Sequence, residues 1–591
     1  MAWNIKARLK KITAAEKGLP VKDPGGRLKV ALIWPGSYRS GMSSLGFQSI
    51  YGLLNARPEV LAERFFWPEG PLAREYERSR SPLLSLESGR PLGEFDLLAA
   101  SLMLENDYWR LPAILEKSGL SARALERAEG DPPLLVGGVA VWANPWPVIP
   151  FVDLVLTGEA EAQWPQLISA WETIRFKPLP KPELMALLSR STPGSLHPGL
   201  MADFPTPSSR EVRDFFPVRP ARLVWPDNWR AGPEAPLEPG KKILPPVSPI
   251  LSPQAEFADT RLVEISRGCP YGCRFCLAGF LYRPHRLWPM KDILTALGPP
   301  EKPGEKVGLV SPAPADHPDL AALLAVLFEQ RRSVTLSSLR LSALGPELAA
   351  QLAAGRLYGA AVAPEGGSQR LRNIINKDLD EETILAGTRL LAEAGLKKIK
   401  LYFMVGLPGE DEGDLAELIE LCRKIRRAAS RGSSWPELQV SLANFTPKAQ
   451  TPFEVAPMLT AAEFRRRGRL ISQALRNVPR LSVNLDPPLW SIAQGLLARG
   501  GPESSALVTA LARRQGRLKA SLAEIGYDDR HPIHRPWPPD KPHPWRVVEP
   551  APGFETFTRE AERAGRGLIS PACLPAGNCG ACRACPGSAV A

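Results

Sequence analysis

Three of the chain's 8 cysteines, Cys269, Cys273 and Cys276, stand in the stretch RGCPYGCRFC (267–276), spaced C-x3-C-x2-C. Thiolates are soft ligands, suited to zinc and to iron–sulfur clusters. Three so close leave a structural zinc site one ligand short, because such a site takes four. They suit a [4Fe–4S] cluster with one iron left open, since cluster iron takes thiolate ligands and the short spacing wraps the corners of one cubane. A second set lies at the far end, where CLPAGNCGACRACP places Cys573, Cys579, Cys582 and Cys585 ahead of Pro586. Four thiolates complete a coordination set, and C-x2-C-x2-C with a trailing proline is nearer to ferredoxin spacing than to paired zinc knuckles. An auxiliary Fe–S cluster, a structural zinc and redox thiols all stay open there. Cys422, alone between Leu421 and Arg423, reads as a small buried hydrophobe.

A strand must deliver the first triplet. RLVEISRG (261–268) precedes it and opens an alternating block, with further strands expected at 306–312, 333–341, 358–364, 397–406 and 437–445. Helical stretches such as HPDLAALLAVLFEQ and DLAELIELCRKIRRAA fill the gaps. Six strand–helix units predict a partial β/α barrel, whose chemistry sits at the strand C-termini. Upstream, 28–36, 95–103, 132–141 and 152–158 look like buried parallel strands, separated by helix-compatible segments at 42–54, 108–119 and 159–171. They predict a Rossmann-like, doubly wound sheet that binds ligands at its strand C-termini. The small and polar residues expected there are Gly36, Ser37, Ser40, Gly41, Ser101, Gly137, Gly138, Gly158 and Glu159. Tight turns use the same glycines, so these positions alone do not choose between binding and turning.

The expected fold class is therefore α/β, with a basic segment (1–27), a Rossmann-like domain (28–171), a linker (172–259), a TIM-type partial (β/α)6 barrel (260–490) and a helical, cysteine-rich extension (491–591). The 63 prolines in 591 residues are about twice the usual share of roughly 5%, and many fall in the linker. Trp225 and Trp229 predict that part of the linker is ordered. The N-terminus, MAWNIKARLKKITAAEKG, lacks the apolar core of a signal peptide and reads as a short amphipathic surface helix. No stretch approaches the roughly 20 apolar residues of a membrane span, so the expected compartment is the cytoplasm, where thiols stay reduced. The formal charge of +12 is concentrated in runs at 423–431, 464–469 and 512–519. Such runs are solvated helix faces, or contacts to a polyanion such as RNA; no RNA-recognition motif accompanies them.

The cysteine loop after a first barrel strand, with Phe275 before the last cysteine, resembles the radical S-adenosylmethionine (radical SAM) superfamily. The resemblance implies that the open iron chelates the amine and carboxylate of SAM. It also implies that an electron from the cluster cleaves the sulfonium, giving a 5′-deoxyadenosyl radical that takes hydrogen from the substrate. AVAPEGGSQRLRNIINK (361–377) and KLYFMVGLPGEDEGD (400–414) resemble the fourth- and fifth-strand segments of members with a fused cobalamin-binding-type domain. By that resemblance Glu365 and Ser368 lie near the ribose and methionyl end of SAM, and the backbone of Val405, Gly406 and Leu407 meets adenine beside Phe275. The Gly-Gly-Glu that many members carry on the second strand is absent; VSPAPADHP (310–318) stands there and leaves Ser311 or the backbone to meet the SAM amine.

The N-terminal block is similar to the cobalamin-binding-type domain of an uncharacterised branch of that superfamily. None of the 6 histidines, at 197, 285, 317, 531, 534 and 543, falls in it, and Asp-x-His-x-x-Gly is missing. Cobalamin would bind with its lower face free of protein imidazole, or the fold is kept without a corrin. The expected function is a radical SAM enzyme carrying out cobalamin-dependent methylation of an unidentified substrate, with flavodoxin or ferredoxin as electron donor. The alternatives are a non-cobalamin radical SAM enzyme modifying RNA or a ribosomal component, and a redox-sensing RNA-binding protein. Methylthio transfer fits less well, because residues 1–268 contain no cysteine, whereas familiar methylthiotransferases carry three in the N-terminal domain. No catalytic acid or base is assigned.

Overall fold

A computed structural model describes residues 2–18, 22–198, 244–336, 338–430, 435–538 and 541–573. The aliphatic run Leu28–Trp34 (β1) is buried at every position but Lys29, as a parallel strand covered on both faces must be. It belongs to a 6-stranded sheet with Val60–Phe66 (β2), Leu97–Ser101 (β3), Leu134–Gly137 (β4), Leu154–Leu156 (β5) and Ser195–Leu196 (β6), ordered β2-β1-β3-β4-β5-β6. All neighbours are parallel except β5 and β6. Helices Leu45–Ala56, Ala160–Ile174 and Lys181–Ser191 cover one face, around Val30, Leu97 and Trp164. The chain's far end covers the other: Leu497, Val508, Leu511 and Trp545 share a core with Ile33, Leu98 and Val136.

Two features differ from the sequence expectation. β2 is missing from it because Glu63 and Arg64 interrupt the apolar run. Both are buried and partnered: Ser88 Oγ donates to Glu63 at 2.6 Å, and Arg64 pairs with Glu16 and Glu87, each at 2.6 Å. The unit also runs past 171, since Lys181–Ser191 and β6 complete it.

The second unit starts at Thr260–Glu264 (β7), followed by the antiparallel pair Ser266–Arg267 (β8) and Arg286–Leu287 (β9). Lys306–Val310 (β10), Ser333–Leu336 (β11), Ser338–Leu339 (β12), Gly359–Glu365 (β13), Lys398–Val405 (β14), Glu437–Asn444 (β15) and Leu481–Leu485 (β16) continue it. They form a 3-stranded sheet, β11-β10-β7, and a 5-stranded sheet, β12-β13-β14-β15-β16, parallel throughout. With β11 and β12 as pieces of one position, the open barrel has β16 beyond the six expected strands. Alternation along β14 explains its two faces. Ile399, Leu401, Phe403 and Val405 are buried in the same core as Leu415, Leu418 and Ile425 of the helix Glu412–Ala428, while Lys400 and Tyr402 are exposed.

Ile5 and Leu9 bury one side of the N-terminal helix Ala2–Ala14. The basic runs lie on helices and pair with nearby carboxylates: Arg427 with Glu420, Arg466 with Glu412 and Glu463, Arg514 with Glu524. Trp225, Trp229, Cys579, Cys582 and Cys585 lie outside the described residues. Among the described residues no helix is long and apolar enough to cross a membrane.

Candidate functional site

β8 and β9 are the stem of the loop that carries Cys269, Cys273 and Cys276. Gly268 opens it at φ +78, where a Cβ would stand 2.3 Å from Tyr282 O; a Cβ on Gly279 would stand 2.3 Å from Tyr271 O. Only glycine permits such close backbone approach, so these two positions fold the loop back on itself. Cys273 is buried, Cys269 and Cys276 are half-buried, and Cys276 N donates to Cys273 O at 3.0 Å. Burial, followed by the neighbouring Cys273 thiol, pushes Cys269 up to about 12 and Cys276 up to about 11. Charge on one thiolate opposes charge on the next, so a positively charged centre would stabilise all three together. Among the described residues no group of three or more His, Cys, Asp or Glu is arranged to hold a single metal ion. Three thiolates on one short loop are the donor set that an open cubane takes.

Phe275 packs with Leu371, Ile375, Leu407 and Phe445, bringing it together with the predicted Leu407. Gly406, at φ +89, follows the buried Val405. Gly406 N donates to Glu410 Oε1 at 2.8 Å. Ser368 is also hydrogen-bonded. Its Oγ caps the helix Gln369–Ile374, accepting from Leu371 N at 3.1 Å, and donates to Asp414 at 2.5 Å. Glu365 sits at an irregularity in β13 with φ +67, and burial raises its pKa against the pull of Lys377, 3.6 Å away. A non-glycine residue in this region costs about 1–3 kcal/mol. Tyr271 of the cysteine loop donates to Asp316 and lies under the Arg340 guanidinium, 3.6 Å from its ring centre. Composition gave no signal for that cluster.

A cavity of about 480 Å³ separates the C-terminal edges of β3, β4 and β5 from the start of the barrel. Ser101, Gly137, Gly138, Gly158 and Glu159 line it on one side; Glu264, Ser266, Arg267, Tyr282 and Ser311 line it on the other. It continues along the sheet face between the helices Leu45–Ala56 and Ala160–Ile174, past Ser49, whose buried Oγ has no hydrogen-bond partner among the described residues. Ser311 bonds Ser266 Oγ at 2.6 Å. Gly138 has φ +115, and a Cβ there would lie 2.3 Å from Leu102 O. Gly36, Ser37, Ser40 and Gly41 do not line this cavity. Gly36 and Gly41 make room for Trp34 and Phe66, Trp34 Nε1 donates to Ser40 at 3.0 Å, and Ser37 borders a separate cavity of about 470 Å³.

Glu159 touches the cavity, yet its carboxylate is engaged elsewhere. Arg286 holds it at 2.5 and 3.0 Å and Arg267 at 2.9 Å; Arg267 also reaches Glu161 at 2.7 Å and Glu264 at 2.9 Å. These ion pairs tie the residue before Gly268 to the N-terminal sheet. Gly137, Gly138 and Gly158 edge the cavity on the side of the N-terminal sheet. No histidine lines it, so its wall offers cobalt no imidazole. The C-terminal histidines are held in packing: His534 bonds Tyr527 and Met458 O, each at 2.9 Å, and His543 stacks on Trp537. Cys422 is fully buried.

The profile of the radical SAM superfamily matches residues 263–422, and that of radical SAM proteins, N-terminal, matches residues 46–196. An uncharacterized protein of Methanocaldococcus jannaschii, MJ0966, is 26% identical over 478 residues, covering 80% of this chain and 88% of its own. Among solved structures, the radical S-adenosylmethionine methyltransferase TsrM from Kitasatospora setae, with cobalamin and a [4Fe–4S] cluster bound, superposes with a TM-score of 0.44 at 14% identity, covering 73% of this chain and 74% of that one. The cobalamin-dependent S-adenosylmethionine radical enzyme OxsB gives a TM-score of 0.41 at 14% identity, covering 67% and 51%.

Proposed function

The chain belongs to the radical SAM superfamily, and from that premise we propose that it binds a [4Fe–4S] cluster through Cys269, Cys273 and Cys276 and cleaves SAM reductively to methylate an unidentified substrate with cobalamin as methyl carrier. When bound, the cluster supplies the electron for sulfonium cleavage and the corrin supplies a transferable methyl group. One observation carries the reading: the stem of the cysteine loop, at Arg267, Gly268 and Tyr282, and the glycine-edged ends of β3, β4 and β5 line the same cavity, joined through Arg267. Gly268 and Gly279 let the loop close around its thiols. Phe275 and Leu407 offer an apolar wall suited to adenine, and Glu365 offers a half-buried carboxylate for hydroxyl or ammonium groups. Tyr282 and Trp142, edge to face at 5.4 Å, line the cavity where the cysteine-loop stem meets the N-terminal sheet. Flavodoxin or ferredoxin fits as the electron donor, in the cytoplasm.

A second cluster on Cys573, Cys579, Cys582 and Cys585 is also proposed. Its support is that Cys573 N donates to Pro270 O at 2.6 Å, which puts the first tail cysteine beside the cysteine loop. A non-cobalamin enzyme, with the cavity left to the substrate, is the second reading; it is favoured by the engagement of Glu159 with Arg267 and Arg286.

The test is anaerobic purification with cobalamin supplied, followed by iron counting, absorbance and SAM cleavage. Replacement of all three loop cysteines by Ala is expected to abolish 5′-deoxyadenosine formation, and unchanged cleavage sinks the cluster assignment. Bound Co(II) cobalamin is expected to show no imidazole nitrogen coupling in paramagnetic resonance. No corrin uptake would remove methyl transfer and leave the second reading.

A further inference from the structure

Arg274, between the second and third loop cysteines, is fully buried. Its guanidinium donates to Asn373 O at 3.1 Å, Ile374 O at 2.7 Å, Leu568 O at 2.7 Å and Glu560 Oε2 at 3.2 Å. The loop carbonyls are taken in alternation. Cys573 N donates to Pro270 O at 2.6 Å, Asn376 Nδ2 to Gly272 O at 3.0 Å, and Phe453 N to Arg274 O at 3.2 Å. Asn376 is itself fixed by Ser570 N at 2.8 Å, and Ser570 Oγ donates to the Glu560 carboxylate at 2.7 Å. Phe557 sets its ring edge to face against Phe280, 5.5 Å away, just beyond the last loop cysteine. The helix Phe554–Gly565 and the residues to Cys573 thus form a strap across the loop.

A buried ion pair is weak support for stability, because desolvation offsets most of the attraction. Glu560 and Arg274 do hold a specific geometry, and Arg274 carries its charge next to Cys273. We propose that this C-terminal strap, through Glu560 and Ser570 acting on Arg274, positions the cysteine loop and sets the electrostatic field at its metal cluster. The proposal rests on the cluster reading above. Glu560 and Ser570 are positioning residues: neither is a thiolate ligand, and both act through Arg274 and Asn376.

The field has a sign that can be measured. Reduction adds negative charge to the cluster, so an unbalanced guanidinium nearby stabilises the reduced form. Glu560→Gln removes the balancing charge and is expected to raise the cluster's midpoint potential. Arg274→Gln removes the cation and is expected to lower it. Paramagnetic-resonance-monitored redox titration of both full-length variants, each with its iron content counted, reads the shifts. Shifts of the same sign, or none, with iron intact, overturn the proposal.

The geometric half is read by hydrogen exchange on metal-free protein. Ser570→Ala removes the hydroxyl's hydrogen bonds to the Glu560 carboxylate and from Arg563 Nε, about 1 kcal/mol each, and is expected to speed exchange of the Arg274 and Cys276 amides at least about fivefold, with the barrel strands unchanged. Unaltered exchange at both amides overturns positioning. Where Glu560→Gln fails to accumulate, Glu560→Asp and the Ser570→Ala exchange decide. Wild-type protein that takes up no iron would sink the cluster reading instead, and the exchange comparison would still decide the strap.

Discussion

Glu159→Gln isolates the contact that joins the two sheets. The wild-type carboxylate is buried, with a 2% exposed side chain against 5% for Arg286, and their shortest contact is 2.5 Å. Removing one partner of a buried pair typically costs about 3–5 kcal/mol, because the other charge is left uncompensated. Arg267 keeps Glu161 and Glu264, so the loss falls mainly on Arg286 and the lower end, about 3 kcal/mol, is expected. At 1.36 kcal/mol per tenfold, that is about two orders of magnitude in the population of separated units. A double-mutant cycle with Arg286→Met, followed by guanidinium unfolding, measures the coupling directly. Glu161→Gln is the control: its carboxylate is 19% exposed, and less than about 1 kcal/mol is expected. Because Arg267 precedes Gly268 and the first loop cysteine, Glu159→Gln is also expected to weaken iron retention. A Glu159–Arg286 coupling below about 0.5 kcal/mol would refute the claim that this pair fastens the sheet to the cysteine loop.

Gly138→Ala places a methyl 2.3 Å from Leu102 O at φ +115, and a loss of at least about 2 kcal/mol, with reduced corrin uptake, is expected in thermal and binding measurements. Replacing the tail cysteines is expected to lower iron from about eight to about four per chain; one zinc beside four irons would favour structural zinc. His285 is held down to about 4 by burial, with His317 and Arg286 nearby, and its Nε2 has no hydrogen-bond partner among the described residues. Its folded pKa is below its unfolded one, so its contribution is present above about pH 6.5 and lost as pH falls toward 4; His285→Gln is expected to flatten that part of the stability profile.

Much of this protein is legible in local pattern. The C-x3-C-x2-C triplet, the apolar strands β1, β3, β13, β14 and β15, and the absence of histidine from the first unit need only composition and periodicity within a few residues. β2 escapes that reading because Glu63 and Arg64 look like surface residues until Ser88, Glu16 and Glu87 are seen beside them. β16 escapes because Ser482 and Asn484 dilute a short strand.

What the sequence determined by itself is therefore the chemistry available: thiolates for iron, glycines for close approach, and no imidazole in the sheet that faces the cavity. Only the tertiary structure decided which partners those groups meet. Glu159 is consumed by Arg267 and Arg286, Ser368 by a helix cap and Asp414, and the Gly406 amide by Glu410. The cysteine loop is held by residues nearly three hundred positions away, at Glu560 and Leu568. The reason is physical: periodicity is set by neighbours along the chain, whereas a hydrogen-bonding group is spent on whatever folding brings within about 3 Å of it.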